Sequence, residues 1–393
     1  MLSRLREDRA AIAWMVVVAV VYLGATLAVS GAVAGPVDRG MQLAVNLSQG
    51  RLDIGTTFRP YDTVVIDGRT YMAIGIAPIV PYLVFVPFQS LWALAHWVIP
   101  AVLGMVAGWL ALPLARSYGP PGAPVWWLAA LGAFGTLLLT QSAYPNVYYL
   151  AHIEAVLFMF VALIEWQGRR RPWVVGLALS LAGLARPTVL LAAIPFGVAL
   201  AVDRKDAQER ARALVAYAVP LALGIIIAGL YNFGRFGSPF ETGYGMTSLV
   251  PYLAARRAEG LFAVQHVPEN LGLLLAGGFT VRDIFPYVVP STMGHSIFLT
   301  TPALLAAIGA GVREALPRIL WAAAILVAIP VLLYYGGAGP RTYGYRYALD
   351  FTPMLLALVA LAARTRFGAL EKLLIAMSVA FVGYGVLWAV VET

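Results

Sequence analysis

The sequence predicts an all-α fold, a polytopic transmembrane helical bundle of about eleven spans. Three observations carry this. Apolar residues make up 61% of the 393 positions and charged residues only 12%, too little polar surface to coat a soluble domain of this size. Charge-free runs such as 10–34 exceed the roughly 20 residues needed to cross a hydrocarbon core of about 30 Å. Between such runs arginines recur in clusters, the pattern left when basic residues near span ends resist translocation.

The elements follow in order. Arg4, Arg6 and Arg9 place the N-terminus in the cytoplasm and send a first span, 11–34, outward as a retained anchor. The first outer loop, 35–77, balances Asp38, Asp53, Asp62 and Asp67 against Arg39, Arg51, Arg59 and Arg69. Its 38–50 portion has the helical apolar spacing of a segment lying at the interface. The run 70–114 is uncharged but contains Pro78, Pro81, Pro87 and Pro100, which forbid one unbroken helix. A re-entrant or interfacial piece over 79–96 and a crossing over 98–116 are expected.

Spans over 125–143 and 153–166 then lead out and back to Arg169, Arg170 and Arg171. Two short apolar pieces, 173–185 and 187–202, form a hairpin bent at Arg186-Pro187. A span over 213–232 precedes the longest polar insertion, 232–292, which parity places outside. Spans over 293–311, 319–336, 347–363 and 370–391 complete one integral membrane domain, 1–393, whose C-terminus lies outside. The plasma membrane is its expected location.

There are no cysteines, which removes disulfides, thiolate metal ligands and cysteine nucleophiles. The net charge of +8 is almost wholly arginine, since Lys205 and Lys372 are the only lysines; it signals cytoplasmic anchoring and no nucleic-acid partner. No glycine-rich phosphate loop joins a strand, so cytoplasmic nucleotide chemistry is unsupported. His96, His266 and His295 have no metal-type spacing and are expected to be packed histidines.

Charges at membrane depth cost roughly 2.5–3.5 kcal/mol each on insertion scales, which makes them functional candidates. Asp38, Glu154, Arg186 and Arg346 map to one outer face. Each has a structural alternative. Asp38 suits a helix N-cap, and Glu154 suits an ion pair with His152. Arg186 needs an anion, which Glu154 or a ligand phosphate could supply. Arg346, among Tyr343, Tyr345 and Tyr347, suits an aromatic belt with Asp350 as its partner.

The stretches VDRGMQLAVNLSQGRLDI, AHIEAVLF, GLALSLAGLARPT, YNFGRFGSPFETGYG and GYRYALDFTP, in this order, resemble the GT-C superfamily of polyprenyl-phosphate-sugar-dependent glycosyltransferases. The resemblance covers most of the chain. It implies transfer of a sugar from a polyprenyl-phosphate donor in the membrane lipid to a glycan, lipid or protein acceptor, for cell-envelope glycan synthesis. Asp38 falls on the catalytic base, Glu154 on the second acid, Arg186 on the donor-phosphate contact of the hairpin and Arg346, with Tyr345, on the late arginine. His152 and Arg59 would support them. The family's paired-aspartate motif is replaced by a lone glutamate, which leaves a divalent metal open. The large soluble C-terminal domain of many members is absent, which directs acceptor recognition to the outer loops. The implied chemistry is an inverting transfer, with Asp38 taking the acceptor proton while arginines hold the departing phosphate. A lipid-linked sugar flippase or small-molecule transporter is the rival class, and a non-catalytic docking subunit the third.

Overall fold

A computed structural model describes residues 2–30, 39–55, 61–122, 124–285, 287–291, 294–339 and 343–391, with side chains from residue 9 onward. Asp38 and Arg59 lie outside the described residues.

The segment expected as the first span is helix α1 (Leu2–Ser30), and the one expected to lie at the interface is helix α2 (Arg39–Ser48), with Met41, Leu43 and Ala44 on its buried side. The loop then does something the all-α expectation omitted. Strands β1 (Thr63–Ile66) and β2 (Arg69–Met72) pair antiparallel around Asp67-Gly68, both with positive φ. A β-branched run broken by Asp-Gly is the strongest short-range hairpin signal, and it stands in the sequence as TVVIDGRTYM. A second small hairpin, β3 (Phe279–Val281) with β4 (Val288–Pro290), sits in the late loop.

The proline-punctuated run 79–96 becomes two 3-10 turns, Ala77–Phe85 and Gln89–Leu91. The following helix α3 (Trp92–Tyr118) starts six residues earlier than expected and carries Pro100 and Pro113 inside it. The span expected over 125–143 is broken: α4 (Pro124–Phe134) and α5 (Leu137–Ala143) meet at 42°, where Thr136 leaves the helical conformation and caps α5. Helix α6 (Val147–Gln167) is capped by Asn146, and α7 (Pro172–Ala185) stops at Arg186. A 3-10 turn, Pro187–Ala192, leads into α8 (Ala193–Asp203), and α9 (Ala207–Phe236) follows.

The late loop holds α10 (Pro251–Ala258) and α11 (Val267–Ala276). The 293–311 segment is not a continuous helix: α12 (Ile297–Thr300) ends at Thr301-Pro302 and a 3-10 turn, Pro302–Ala310, replaces it. Then come α13 (Ala315–Leu333), a 3-10 turn Arg346–Asp350, α14 (Thr352–Ala362) and α15 (Ala369–Val391).

Among the described residues six helices are long and apolar enough to cross a membrane, or seven if α4 and α5 count as one bent span. Pro172–Ala185, Pro187–Asp203 and Thr352–Ala362 are shorter apolar helices. Helix α6 is the axis of the bundle, packed on α3, α5, α7 and α14, and 78% of its apolar window is buried. Outer helices such as α9, with 17% buried, keep apolar side chains all round, as lipid contact requires. Buried aromatic heads are satisfied across helices: Tyr22 donates to Ala133 O (2.7 Å) and Tyr118 to Leu163 O (2.9 Å). Close helix approach relies on small residues. A Cβ at Gly176 of α7 would collide with the Tyr217 carbonyl of α9, and one at Gly224 of α9 with the Ser180 hydroxyl of α7. This packing fixes α7, and with it the position of Arg186.

Candidate functional site

The N-terminal end of α6 is where distant segments converge. Its first turns place Tyr148, Tyr149 and His152 on neighbouring faces, because residues three and four apart lie one above the other. Glu154, two residues on from His152, is turned about 200° away. The structure therefore does not pair these two. Glu154 is 3% exposed, and its Oε2 is buried without a hydrogen-bond partner.

Arg186 arrives from the opposite side. Pro187 disfavours the α region for the residue before it, so Arg186 leaves α7 in an extended conformation (φ −137°, ψ 100°) and swings its side chain across the bundle. It meets Asp350, the last residue of the 3-10 turn that begins at Arg346. Arg186 Nη2 donates to Oδ2 (3.0 Å), and Nε lies 3.2 and 3.3 Å from the two carboxylate oxygens. Thr188 Oγ1 donates to Oδ2 (2.7 Å), and His152 Nδ1 is 2.8 Å from Oδ1. An ionised carboxylate only accepts, so the network assigns the proton to His152 Nδ1. Asp350 is thus the partner of Arg186 and His152, not of Arg346. Glu154 does not neutralise Arg186.

Among the described residues Arg346 is left without an acid bonded to it. Its Nη2 donates to the Tyr347 hydroxyl (3.1 Å), its Nε is buried without a partner, and its guanidinium lies over Tyr149 (5.1 Å) and Tyr347 (4.9 Å). A Cβ at Gly339, whose φ is +88°, would press on that guanidinium. The Arg186 guanidinium lies 5.1 Å from the Tyr347 ring centre, so one tyrosine carries two cations. Other buried arginines show what satisfaction looks like here. Arg235 gives Nη1 to Met72 O and Ile74 O and Nη2 to Asn232. Arg256 holds Glu269, Asn270 and Tyr335 O. Against two guanidinium groups the inner site sets one carboxylate, which leaves one positive charge unmatched among the described residues.

Tyr345 is wholly buried and its hydroxyl has no partner; Tyr347 occupies the position between the arginines. In a 3-10 turn residues three apart eclipse, which puts Tyr347 on the same edge as Asp350. Among the described residues no three His, Cys, Asp or Glu side chains gather as metal ligands, and the His152–Asp350 pair is already closed by a cation. His266 bonds Gly260 O (3.0 Å), and buried His295 packs on Phe279, with its Nδ1 facing the Gly344 N–H (3.4 Å).

The sequence reading also passed over the mouth of the site. Tyr148 donates to the Asp62 carbonyl (2.8 Å), and Arg39 Nη1 to the Tyr61 carbonyl (2.9 Å), so the first loop is tied to the start of α6. No protein-family model, curated protein or solved structure matches the chain. The chemistry of the site therefore rests on its residues.

Elsewhere, a groove between α14 and α15 is lined by Ala306, Val359 and Leu374, with Arg366 and Glu371 at its rim. Those two charges neutralise one another at 3.3 Å, and no converging chemistry is found there.

Proposed function

We propose that the chain is a polytopic membrane glycosyltransferase of the GT-C type that takes a sugar from a polyprenyl-phosphate donor. The observation that carries this is Arg346, a guanidinium walled by Tyr149 and Tyr347 with no carboxylate or carbonyl bonded to its side chain among the described residues, beside Arg186, whose charge is already matched. Arg346 receives the donor phosphate. Arg186, locked by an Asp350 that His152 and Thr188 hold in turn, packs on Tyr347 and adds positive potential that favours the phosphate as charge develops on it.

The acceptor hydroxyl loses its proton to Asp38 as its oxygen attacks the anomeric carbon, the bond to the phosphate oxygen breaks, and configuration inverts. Asp38 precedes Arg39, the first residue of α2, whose guanidinium reaches the loop at the mouth of the site. Glu154, on another face of α6, and Tyr345, whose buried hydroxyl has no hydrogen-bond partner among the described residues, are left out of this machinery. In this reading the chain has about eleven crossings, with the N-terminus in the cytoplasm and the site at the extracytoplasmic face. A metal is an optional partner, which a chelator assay decides.

The test is purified protein in lipid nanodiscs with a labelled polyprenyl-phosphate sugar and an envelope acceptor extract. Transfer that is lost in Asp38→Asn and Arg346→Gln supports the reading. Movement of the lipid across a bilayer without transfer would instead identify the flippase.

A further inference from the structure

The inner site provides for a phosphate but not for the group the phosphate carries. A sugar offers vicinal hydroxyls, and the side chain that best takes two of them at once is a carboxylate, which accepts through both oxygens and donates through neither. Asp62 meets this need. Its backbone is fixed at several points by three other segments. Its N–H donates to Ser248 O (3.0 Å), its carbonyl accepts from Tyr148 of α6 (2.8 Å), and the flanking Tyr61 carbonyl accepts from Arg39 of α2 (2.9 Å). Ser248 N–H closes the clamp on Thr63 O (2.9 Å). The residue is held in the left-handed region (φ +61°), uncommon for a residue with a Cβ.

All this order is spent on the main chain. The Asp62 side chain is exposed and makes no hydrogen bond or ion pair among the described residues, although it feels the charges of both Arg346 and Arg39. A clamped carboxylate with no ion pair among the described residues thus stands within electrostatic reach of a guanidinium that has no acid bonded to it. A cluster of tyrosines surrounds the guanidinium: Tyr149 and Tyr347 pack against it, while Tyr334 meets Tyr347 at 5.5 Å and Tyr244 at 6.2 Å, both edge-on. Aromatic faces take the C–H side of a pyranose or furanose ring while a carboxylate takes its hydroxyl edge.

We infer that Asp62 is the sugar-recognition residue of the donor site, accepting hydrogen bonds from hydroxyls of the glycosyl group whose phosphate Arg346 holds. The inference rests on the proposed use of a polyprenyl-phosphate sugar.

The experiment measures binding of farnesyl phosphate, bare or carrying mannose, glucose, galactose or arabinofuranose, to the full chain in nanodiscs. The proteins are the wild type, Asp62→Gly and Asp62→Asn, whose folding is checked by melting temperature. Glycine and asparagine both tolerate the left-handed conformation. Wild type is expected to bind at least one glycosylated lipid about tenfold or more tighter than bare farnesyl phosphate, the size of one or two charge-assisted hydrogen bonds. Asp62→Gly keeps the affinity for bare phosphate and loses that increment; Asp62→Asn loses most of it. An increment that survives in Asp62→Gly, or a wild type that gains from none of the four sugars while binding bare farnesyl phosphate, overturns the role of Asp62. Failure of wild type to bind any of the five lipids overturns the proposed function instead.

Discussion

Asp350 and Arg186, 164 positions apart in sequence, form a bidentate ion pair inside the bundle, with His152 and Thr188 on the remaining carboxylate valences. Breaking a buried pair costs more than never having it, because one charge is left unmatched. Asp350→Asn should therefore lower stability by about 3–5 kcal/mol, read as a loss of melting temperature in detergent. The double variant Asp350→Leu/Arg186→Met should recover most of that stability while staying inactive. A single variant as stable as wild type would show that the pair does not hold this end of α7 to α14.

Arg346 behaves oppositely. Among the described residues it forms no ion pair, and its charge is repelled by Arg186. Arg346→Gln is predicted to melt at or above the wild-type temperature and to bind a short polyprenyl phosphate about 10–100-fold more weakly, the scale of one lost charge-assisted contact. Melting curves and isothermal titration in nanodiscs check the two halves, and a destabilised Arg346→Gln would mean the residue is structural.

Glu154 carries a buried carboxyl whose Oε2 has no partner. Replacing it with glutamine removes an ionisable group from an apolar setting at almost constant shape. The melting temperature of Glu154→Gln is expected to stay level or rise, with sugar transfer within about twofold of wild type, as for most substitutions away from a working site. A hundredfold loss of transfer would return Glu154 to the catalytic set.

What the sequence revealed and what it hid divide along a physical line. Apolar periodicity and arginine clusters marked most helices of α1, α3, α6, α9, α13 and α15, because hydrophobicity is a local property. The arginine before Pro187 was legible for the same reason, since proline acts on its neighbour. Partner choice was not. Asp350 sits four residues from Arg346, the spacing of a local pair, yet it bonds Arg186 from another helix, and only the packing of α6, α7 and α14 decides that. The first hairpin and the broken 293–311 segment were written in Asp-Gly and Thr-Pro steps, local turn signals that hydrophobicity does not register.

The acid limb of donor binding should carry the signature of Asp62. Although Asp62 is exposed at the surface, the loops around it strip water from its carboxyl and push it above the ordinary aspartate value, opposed by Arg346 and Arg39. Sugar hydroxyls need the ionised form, so sugar-dependent affinity should fall as pH drops through that raised value and stay level above it. The linkage for folding has the opposite sense: a raised carboxyl pKa favours the fold below it and loses that contribution as pH rises. In Asp62→Asn the sugar-dependent acid limb should vanish while binding of bare farnesyl phosphate keeps its own pH profile, measured by titrating both lipids between pH 4 and 8. An unchanged limb in Asp62→Asn would assign it to another group.

Gly75 connects backbone packing to the site without any charge. A Cβ there would drive into the Leu184 carbonyl, two residues before Arg186, and the obstacle is main chain that no rotamer can move aside. The collision must be relieved by shifting the 73–77 segment or the end of α7, and the second route displaces the guanidinium from Asp350. Gly75→Ala is predicted to cost about 1–3 kcal/mol, as overpacking of a tight contact does, and to depress transfer by tenfold or more, since small misplacements near a reacting group are expensive. Gly272, on α11 with nothing near its missing Cβ, is the control: Gly272→Ala should be neutral or stabilising by up to about 1 kcal/mol. Melting curves and transfer rates for both variants decide it, and a Gly75→Ala protein with wild-type activity would mean that α7 tolerates the shift without moving Arg186.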